Sequence, residues 1–536
     1  RCGMRSDVNI FIHRDKCYVC GICVERCILD NLRMYLAPCR AACPIRMNCQ
    51  GYVRLIAQGK EEEAAKEARK DFPFAGIIGK VCTRPCEDQC ERKKVDQEAV
   101  HIRALKRYLS DSRPDLIHDP APVPKESGKK VAVVGSGPAG LMAAYELAVK
   151  GHAVTVFDAA PEPGGMLRWG IPAFRLATVE ITRAVRMLEK MRVRVQTGRS
   201  LGKELDVGRM EHEWDGLLLA YGAGSARSLN IPGEDFAGVY QGLDLLRQVR
   251  EGGSPNLGKS AIVIGGGNTA VDAALTCRKL GAEEVNLICL EERPQMPAFA
   301  AEVEEAVEEG VKIQNGWGPR KILQHGQGSL RLEISRCLRV FDEEGRFSPR
   351  LDDFCGLSPS AESIIVAIGQ QTNLSPLPQE IQSPARSYPL VDPLTLQTRR
   401  EKIFAAGDLV SGPRSVIEAM AQGREAAVSI DRFLRGETLR WGRAYWDGTC
   451  LTEFPIDRSG AIERPRALLP RLPVQSRDAH HEVERTLGTK EAREEAERCL
   501  NCGRPGEVNR TCWYCLPCEI ECPVDALEVR LPYLVR

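Results

Sequence analysis

The chain has 536 residues, 43% of them hydrophobic, and its 74 Lys and Arg nearly balance 73 Asp and Glu for a formal charge of +1. That length asks for three or four modules, and the neutral balance gives no basis for binding nucleic acid. No apolar run approaches the roughly 18 residues that span a bilayer, and residues 1–11 lack the apolar stretch of a secretory signal.

The 22 cysteines are unevenly spread, with eleven in residues 1–90, six in residues 499–522 and five between. A disulfide scaffold is a small secreted domain, which this chain is not. Clustered cysteines two and three residues apart read as metal ligation in a reducing cytoplasm. Residues 1–36 read as a ferredoxin-like segment. Their run "CYVCGICVERC" sets Cys17, Cys20, Cys23 and Cys27 at the spacing of bacterial 4Fe–4S ferredoxins, a better fit than the paired knuckles of zinc sites.

Residues 37–126 are expected to form an α-helical domain. "GYVRLIAQGKEEEAAKEARKDF" has helical apolar spacing, and Cys39, Cys43, Cys49, Cys82, Cys86 and Cys90 lie around it. "SDSRPDLIHDPAPVPKESGKK" reads as a linker. Residues 131–430 then alternate short runs such as "VAVVG", "AVTVFD", "AIVIGGG" and "VNLICL" with helical stretches, the rhythm of an α/β fold with parallel sheets.

Two dinucleotide fingerprints follow. "VAVVGSGPAGL" places Gly135, Gly137, Pro138, Ala139 and Gly140 between a strand and a helix, and the next strand ends in Asp158, 23 residues after Gly135 and suited to a ribose hydroxyl. "AIVIGGGNTAVDAA" repeats the arrangement with Gly265, Gly267, Asn268, Thr269 and Ala270, and its second strand runs into Glu291. Two such units in one chain predict two dinucleotides held so that one reduces the other. Cys277, Cys289, Cys337 and Cys355 stand alone and read as buried inert thiols. No histidine belongs to a metal or base motif.

Residues 441–498 read as a polar, proline-spotted linker whose "EAREEAERC" is a charged helix with a solvated face. Residues 499–536 return to ferredoxin-like character: "RCLNCG" carries Cys499 and Cys502, and "CWYCLPCEIECP" carries Cys512, Cys515, Cys518 and Cys522. Because the fourth cysteine of such a run often serves a neighbouring cube, the two ends could join as one two-cluster module. Cys17, Cys20, Cys23 and Cys522 would then hold one cube, and Cys512, Cys515, Cys518 and Cys27 the other. The alternative is a separate cluster at each end.

"GSGPAG", "PGGMLRWGIPAFRL", "IPGEDFAGV", "GGGNTAVDAA", "AIGQQTN" and "FAAGDLVSGPRSVIEAMAQGREAA", together with the upstream cysteines, resemble the small subunit of glutamate synthase and its relatives over about residues 37–440. The resemblance implies a two-dinucleotide-binding flavoprotein, with FAD in residues 127–228 and 372–440 and a nicotinamide dinucleotide in the inserted residues 229–371. It further implies that Gly407 and Asp408 close the FAD site, that Gly165, Met166 and Leu167 lie near the flavin ring, and that Gly369 joins the nicotinamide site. The cysteines of residues 37–126 and the displaced "RCLNCG" pair would bind clusters beside the FAD. Sixteen clustered thiolates suit about four cubes.

NADPH-using relatives carry an arginine pair where this chain has "CLEERPQMPA", and arginine grips a 2′-phosphate bidentately. Glu291 would instead accept from the free ribose hydroxyls of NAD(H) and repel a phosphate; in the rival reading Glu291 faces solvent and Arg293 takes the phosphate. The function expected is hydride exchange between NAD(H) and FAD, with single electrons passing through clusters to a partner oxidoreductase subunit or ferredoxin in a hetero-oligomeric complex. The alternatives are a bifurcating flavin subunit and a glutamate synthase small subunit proper.

Overall fold

The computed structural model describes residues 10–326, 328–383, 388–443, 450–508 and 512–530. Two five-stranded parallel sheets form its centre. The first orders Ile403–Ala405, Gly216–Leu219, Lys130–Val134, Ala153–Phe157 and Arg194–Gln196. The second orders Lys312–Asn315, Glu284–Cys289, Ser260–Ile264, Ser363–Val366 and Val239–Gln241. Their central strands are continuous Val, Ile, Ala and Leu because helices cover both faces, as parallel sheets require.

The helix Pro138–Val149 packs on Val416–Arg435, which is started by a reciprocal cap between Ser415 and Glu418. The approach is close: a Cβ on Gly423 would stand 2.1 Å from the Ala139 carbonyl oxygen. From the second sheet projects an antiparallel sheet of Trp317–His325, Ser329–Phe341 and Phe347–Leu357. Its last strand pairs on one side only among the described residues, so Cys355 there is exposed, while Cys337 on the middle strand is half-buried. This corrects the expectation for those two thiols, whereas Cys277 and Cys289 are buried.

Ahead of the sheets, the helices Cys49–Ala57, Glu61–Asp71, Ala75–Val81 and Ile102–Ser112 form a helical layer on the same core. The two chain ends meet beside it. Ile10–Ile12 pairs antiparallel with Leu527–Val529, and Leu32–Tyr35 pairs with Arg504–Glu507.

Residues 450–498 do more than connect. Val483 donates its amide to the Phe174 carbonyl, and Leu487 enters the helical core. The helix Thr489–Glu497 has one buried face, contrary to the solvated helix expected. Glu495 there accepts from the His101 and Ala467 amides and pairs with Arg498, whose guanidinium also donates to the Ala99, Glu98 and Arg464 carbonyls. Arg498 is 1% exposed. Removing one partner of a buried ion pair strands the other, at about 3–5 kcal/mol. Arg498→Met should therefore cost the protein about 3–5 kcal/mol in chemical denaturation, whereas replacement of the exposed Lys490 should change stability by less than about 0.5 kcal/mol.

Candidate functional site

One cavity of about 1590 Å³ runs between the two parallel sheets. Gly135, Gly137, Pro138, Ala139, Asp158, Gly165, Met166, Leu167, Gly407 and Asp408 line it from the first fold. Gly265, Gly267, Asn268, Thr269, Glu291 and Gly369 line it from the second. Gly140 and Ala270 stand behind the walls as packing positions: a Cβ on Gly140 would meet the Gly135 carbonyl oxygen at 1.9 Å, and Ala270 is fully buried.

The glycines have distinct tasks. Gly135 and Gly265 adopt φ of +108° and +140°, which side-chain-bearing residues rarely take, and lie under the Ala220 and Ala367 carbonyls. By contrast, a Cβ on Gly267 would meet no protein atom within 4 Å, and one on Gly137 only the Gly165 Cα at 4.0 Å. Those two positions leave room for a pyrophosphate against the backbone at the helix N-terminus.

Asp158 accepts from the Ser136 and Ala160 amides at 2.8 Å, which fixes its carboxylate at the end of its strand. Glu291 is 9% exposed, and a Cβ on Gly266 would come within 2.5 Å of its carboxylate oxygen. The acid therefore hangs over the second glycine loop. Arg293, exposed and absent from the cavity wall, does not face the same space. Burial pushes Asp408 up to about 6, against the Arg414 amide that donates to it.

Sequence reasoning missed several wall residues. Arg175, carried by the first fold, pairs with Asp272 and reaches Glu302 and Glu305 of the second, tying the two together. Lys80, Cys82, Arg84, Arg103 and Arg107 enter from the helical domain, and Arg471, Val483 and Glu484 from the connecting segment. For the charged residues among them the only sequence signal was charge in a polar stretch, Val483 carried none, and Cys82 was expected as a cluster ligand rather than as part of this wall. The cavity wall holds two cysteines, Cys82 and Cys289, from different domains, so the described residues contain no flavin-facing cysteine pair.

The sixteen clustered cysteines gather in four groups of four. Cys17, Cys20 and Cys23 share a neighbourhood with Cys522, and Cys27 lies with Cys512, Cys515 and Cys518. Burial, then these neighbouring thiols, pushes Cys17 and Cys518 up to about 11. The ends thus join within one chain. They do so symmetrically: the Asn31 amide donates to Cys27 Sγ and the Ala526 amide to Cys522 Sγ, each at 3.2 Å.

Cys39, Cys90, Cys499 and Cys502 line a small cavity that Cys49 also reaches, and Cys49 lies with Cys43, Cys82 and Cys86 as the fourth group beside it. Among the described residues no three His, Cys, Asp or Glu side chains are set to hold a single metal ion. A mononuclear zinc site draws its sulfurs in with bonds of about 2.3 Å, whereas a cube takes one thiol at each corner iron, a number that each group of four could supply.

A model of the pyridine nucleotide-disulphide oxidoreductases matches residues 129–423. The chain belongs to that family. It is an oxidoreductase binding FAD and NAD(P), and a second match, to domain II of dihydropyrimidine dehydrogenase with its 4Fe–4S cluster, covers residues 15–115. The resemblance read from the motifs therefore holds at family level. The β subunit of a NADP(+)-dependent formate dehydrogenase from Moorella thermoacetica is 34% identical over 505 residues, 88% of this chain and 71% of the relative. The PreT subunit of NAD-dependent dihydropyrimidine dehydrogenase from Escherichia coli K12 is 31% identical over 422 residues, 77% of this chain and 93% of the relative. Among solved structures, Mycobacterium tuberculosis FprA in complex with NADPH shares the fold, with a TM-score of 0.51 and 19% identity over 57% of this chain and 85% of that one. No helix among the described residues is long and apolar enough to cross a membrane.

Because Gly267 has an extended backbone and open space beyond its Cα, Gly267→Val should fold with stability within about 0.5 kcal/mol of the parent. Its KM for nicotinamide nucleotide should rise at least about tenfold, a loss of about 1.4 kcal/mol. A fall in stability with unchanged KM would show that the position packs rather than binds.

Proposed function

We propose that this chain is the nucleotide-side subunit of an electron-transfer complex, exchanging electrons between NAD(H) and an iron–sulfur partner. The observation that carries the proposal is continuity. Both nucleotide fingerprints open into one cavity, Cys82 reaches its wall, the Cys39 thiol lies by Cys86 and the Cys23 thiol by Cys518, and hydrogen bonds from Asn48, next to Cys49, to the Tyr18 and Val19 carbonyls join the helical domain to the terminal module. FAD, when bound, supplies the step between two-electron hydride exchange and one-electron transfer to clusters.

The protein's own residues do the rest. Gly137 and Gly267 admit the two pyrophosphates, Gly407 and Asp408 close the FAD side, and Arg175 holds the two folds face to face around the cavity. The helical domain brings the group of Cys43, Cys49, Cys82 and Cys86 nearest the flavin site, with Cys39, Cys90, Cys499 and Cys502 behind it. The Tyr18 and Val19 carbonyls accept from Asn48, and Arg14 and Asn501 exchange hydrogen bonds, which seats the terminal module on that domain. Cys515 is exposed, and a partner oxidoreductase subunit or ferredoxin would take electrons there. Sixteen thiolates kept reduced for this purpose fit a reducing compartment such as the cytoplasm.

The names of the relatives cover both nucleotides, so the choice rests on residue 291. A buried carboxylate over the glycine loop accepts ribose hydroxyls and repels a 2′-phosphate, which supports NAD(H). In anaerobic titration NADH should bleach the flavin with at least about tenfold higher kcat/KM than NADPH, a difference of about 1.4 kcal/mol, and the double variant Leu290→Arg/Glu291→Arg should reverse the order. Equal rates with both nucleotides in the parent would overturn the assignment. For the terminal module, Cys27→Ala and Cys512→Ala should perturb the same cluster in EPR and Cys522→Ala the other; loss of different signals from Cys27→Ala and Cys512→Ala would refute the crossed arrangement.

A further inference from the structure

The helix Ile102–Ser112 carries three buried cations with unequal partners. Arg103 pairs with Glu484 at 2.6 Å and donates to the Gly79 and Lys80 carbonyls, and Arg107 pairs with Glu482 at 2.6 Å and with Asp111 at 3.3 Å. Lys106, between them, is 2% exposed, and no carboxylate among the described residues lies within ion-pair distance of its ammonium. Its electrostatic neighbours are the sulfurs of Cys82, Cys49, Cys86 and Cys43.

Backbone packing holds it there. The helix Ala75–Val81, which runs into Cys82, touches the Lys106 helix so closely that a Cβ on Gly79 would stand 2.9 Å from the Arg107 amide nitrogen and 3.3 Å from the Lys106 carbonyl carbon. From the other side Tyr52, one turn beyond Cys49, donates its hydroxyl to the Ile102 carbonyl at 3.1 Å. These contacts fix the Lys106 backbone against the helix that leads into Cys82 and the helix that begins with Cys49.

A buried ammonium with no anion is costly. Four thiolates with a cube present one, because an oxidised 4Fe–4S centre with four thiolates has a net charge of about −2 and gains a further negative charge on reduction. Charge attraction in a low-dielectric interior favours the more negative state. Arg103 and Arg107 exert little of this pull, since their carboxylates already neutralise them.

We propose that Lys106 is a positioning residue for charge, the counter-ion that raises the reduction potential of the cluster held by Cys43, Cys49, Cys82 and Cys86 and so makes it the ready recipient of electrons from the flavin side. The inference rests on the reading of those four cysteines as one cluster site. It adds a residue that no spacing rule marks, since a lysine in the middle of "IRALKRYLSD" looks like any helix-surface cation.

The test is an EPR-monitored redox titration of the full-length protein, with iron content measured on the same samples. In Lys106→Gln one midpoint should fall by at least about tenfold in the reduction equilibrium, about 59 mV for a one-electron couple, with the others unmoved. In Lys106→Arg it should stay within about threefold of the parent. Unchanged midpoints in a Lys106→Gln protein of full iron content would overturn the proposal. If Lys106→Gln loses iron, full iron in Lys106→Arg supports the charge role, and loss from both overturns it. Cys49→Ala checks the underlying reading separately. Full iron with all signals intact there would sink the four-cysteine site, and with it this proposal, whatever the lysine variants do.

Discussion

A cube of iron and sulfur wants a thiolate at each of four corners, and a short loop wraps three of them around one face far more easily than the fourth. In this chain three of the four groups draw on cysteines from both ends of the sequence. Cys522 joins Cys17, Cys20 and Cys23; Cys27 joins Cys512, Cys515 and Cys518; Cys499 and Cys502 join Cys39 and Cys90. The ends of a 536-residue chain must therefore be brought together and held. The pairing of Ile10–Ile12 with Leu527–Val529 and of Leu32–Tyr35 with Arg504–Glu507 is the backbone expression of that demand.

The route back explains the segment 450–498. It crosses the nucleotide folds and the helical domain before delivering Cys499, and it is anchored along the way by Glu482 and Glu484 on Arg107 and Arg103, by Val483 on Phe174, and by Arg498 among three carbonyls and Glu495. Each anchor satisfies a buried polar group that would otherwise be left unpaired, at a cost of about 1–3 kcal/mol. The same segment supplies Arg471, Val483 and Glu484 to the cavity wall. Cluster assembly and nucleotide binding thus share one structural element.

Charge follows a matching logic. The helical domain buries cations beside groups of thiols, and most of those cations meet carboxylates: Lys80 lies near Asp111, Glu180 and Glu482. Lys106 instead faces sulfur. The near-zero formal charge of the chain is therefore a property of the bare polypeptide, and it becomes more negative with each four-thiolate cube it carries.

Much of this was legible in the sequence. The strand, glycine loop and helix of each fingerprint appear as read, because that motif is set by hydrogen bonds and steric contacts among residues close in the chain: Gly135 needs a positive φ, and Gly140 must clear the Gly135 carbonyl. The x2 and x3 cysteine runs are equally local. What the sequence left open was decided by contacts hundreds of residues apart. Whether the two ends make one module or two, which acid of "EAREEAERC" is buried, and which isolated cysteines reach solvent all depend on how distant surfaces meet. Glu495 is buried because His101, Ala467 and Arg498 converge on it, and Cys355 is exposed because its strand lies at the edge of a sheet. Local chain chemistry determined the elements and their cofactor classes. Only tertiary packing, which brings remote donors and acceptors into the same dry space, decided the thiol groups, the wall of the cavity and the solitary lysine beside the sulfurs.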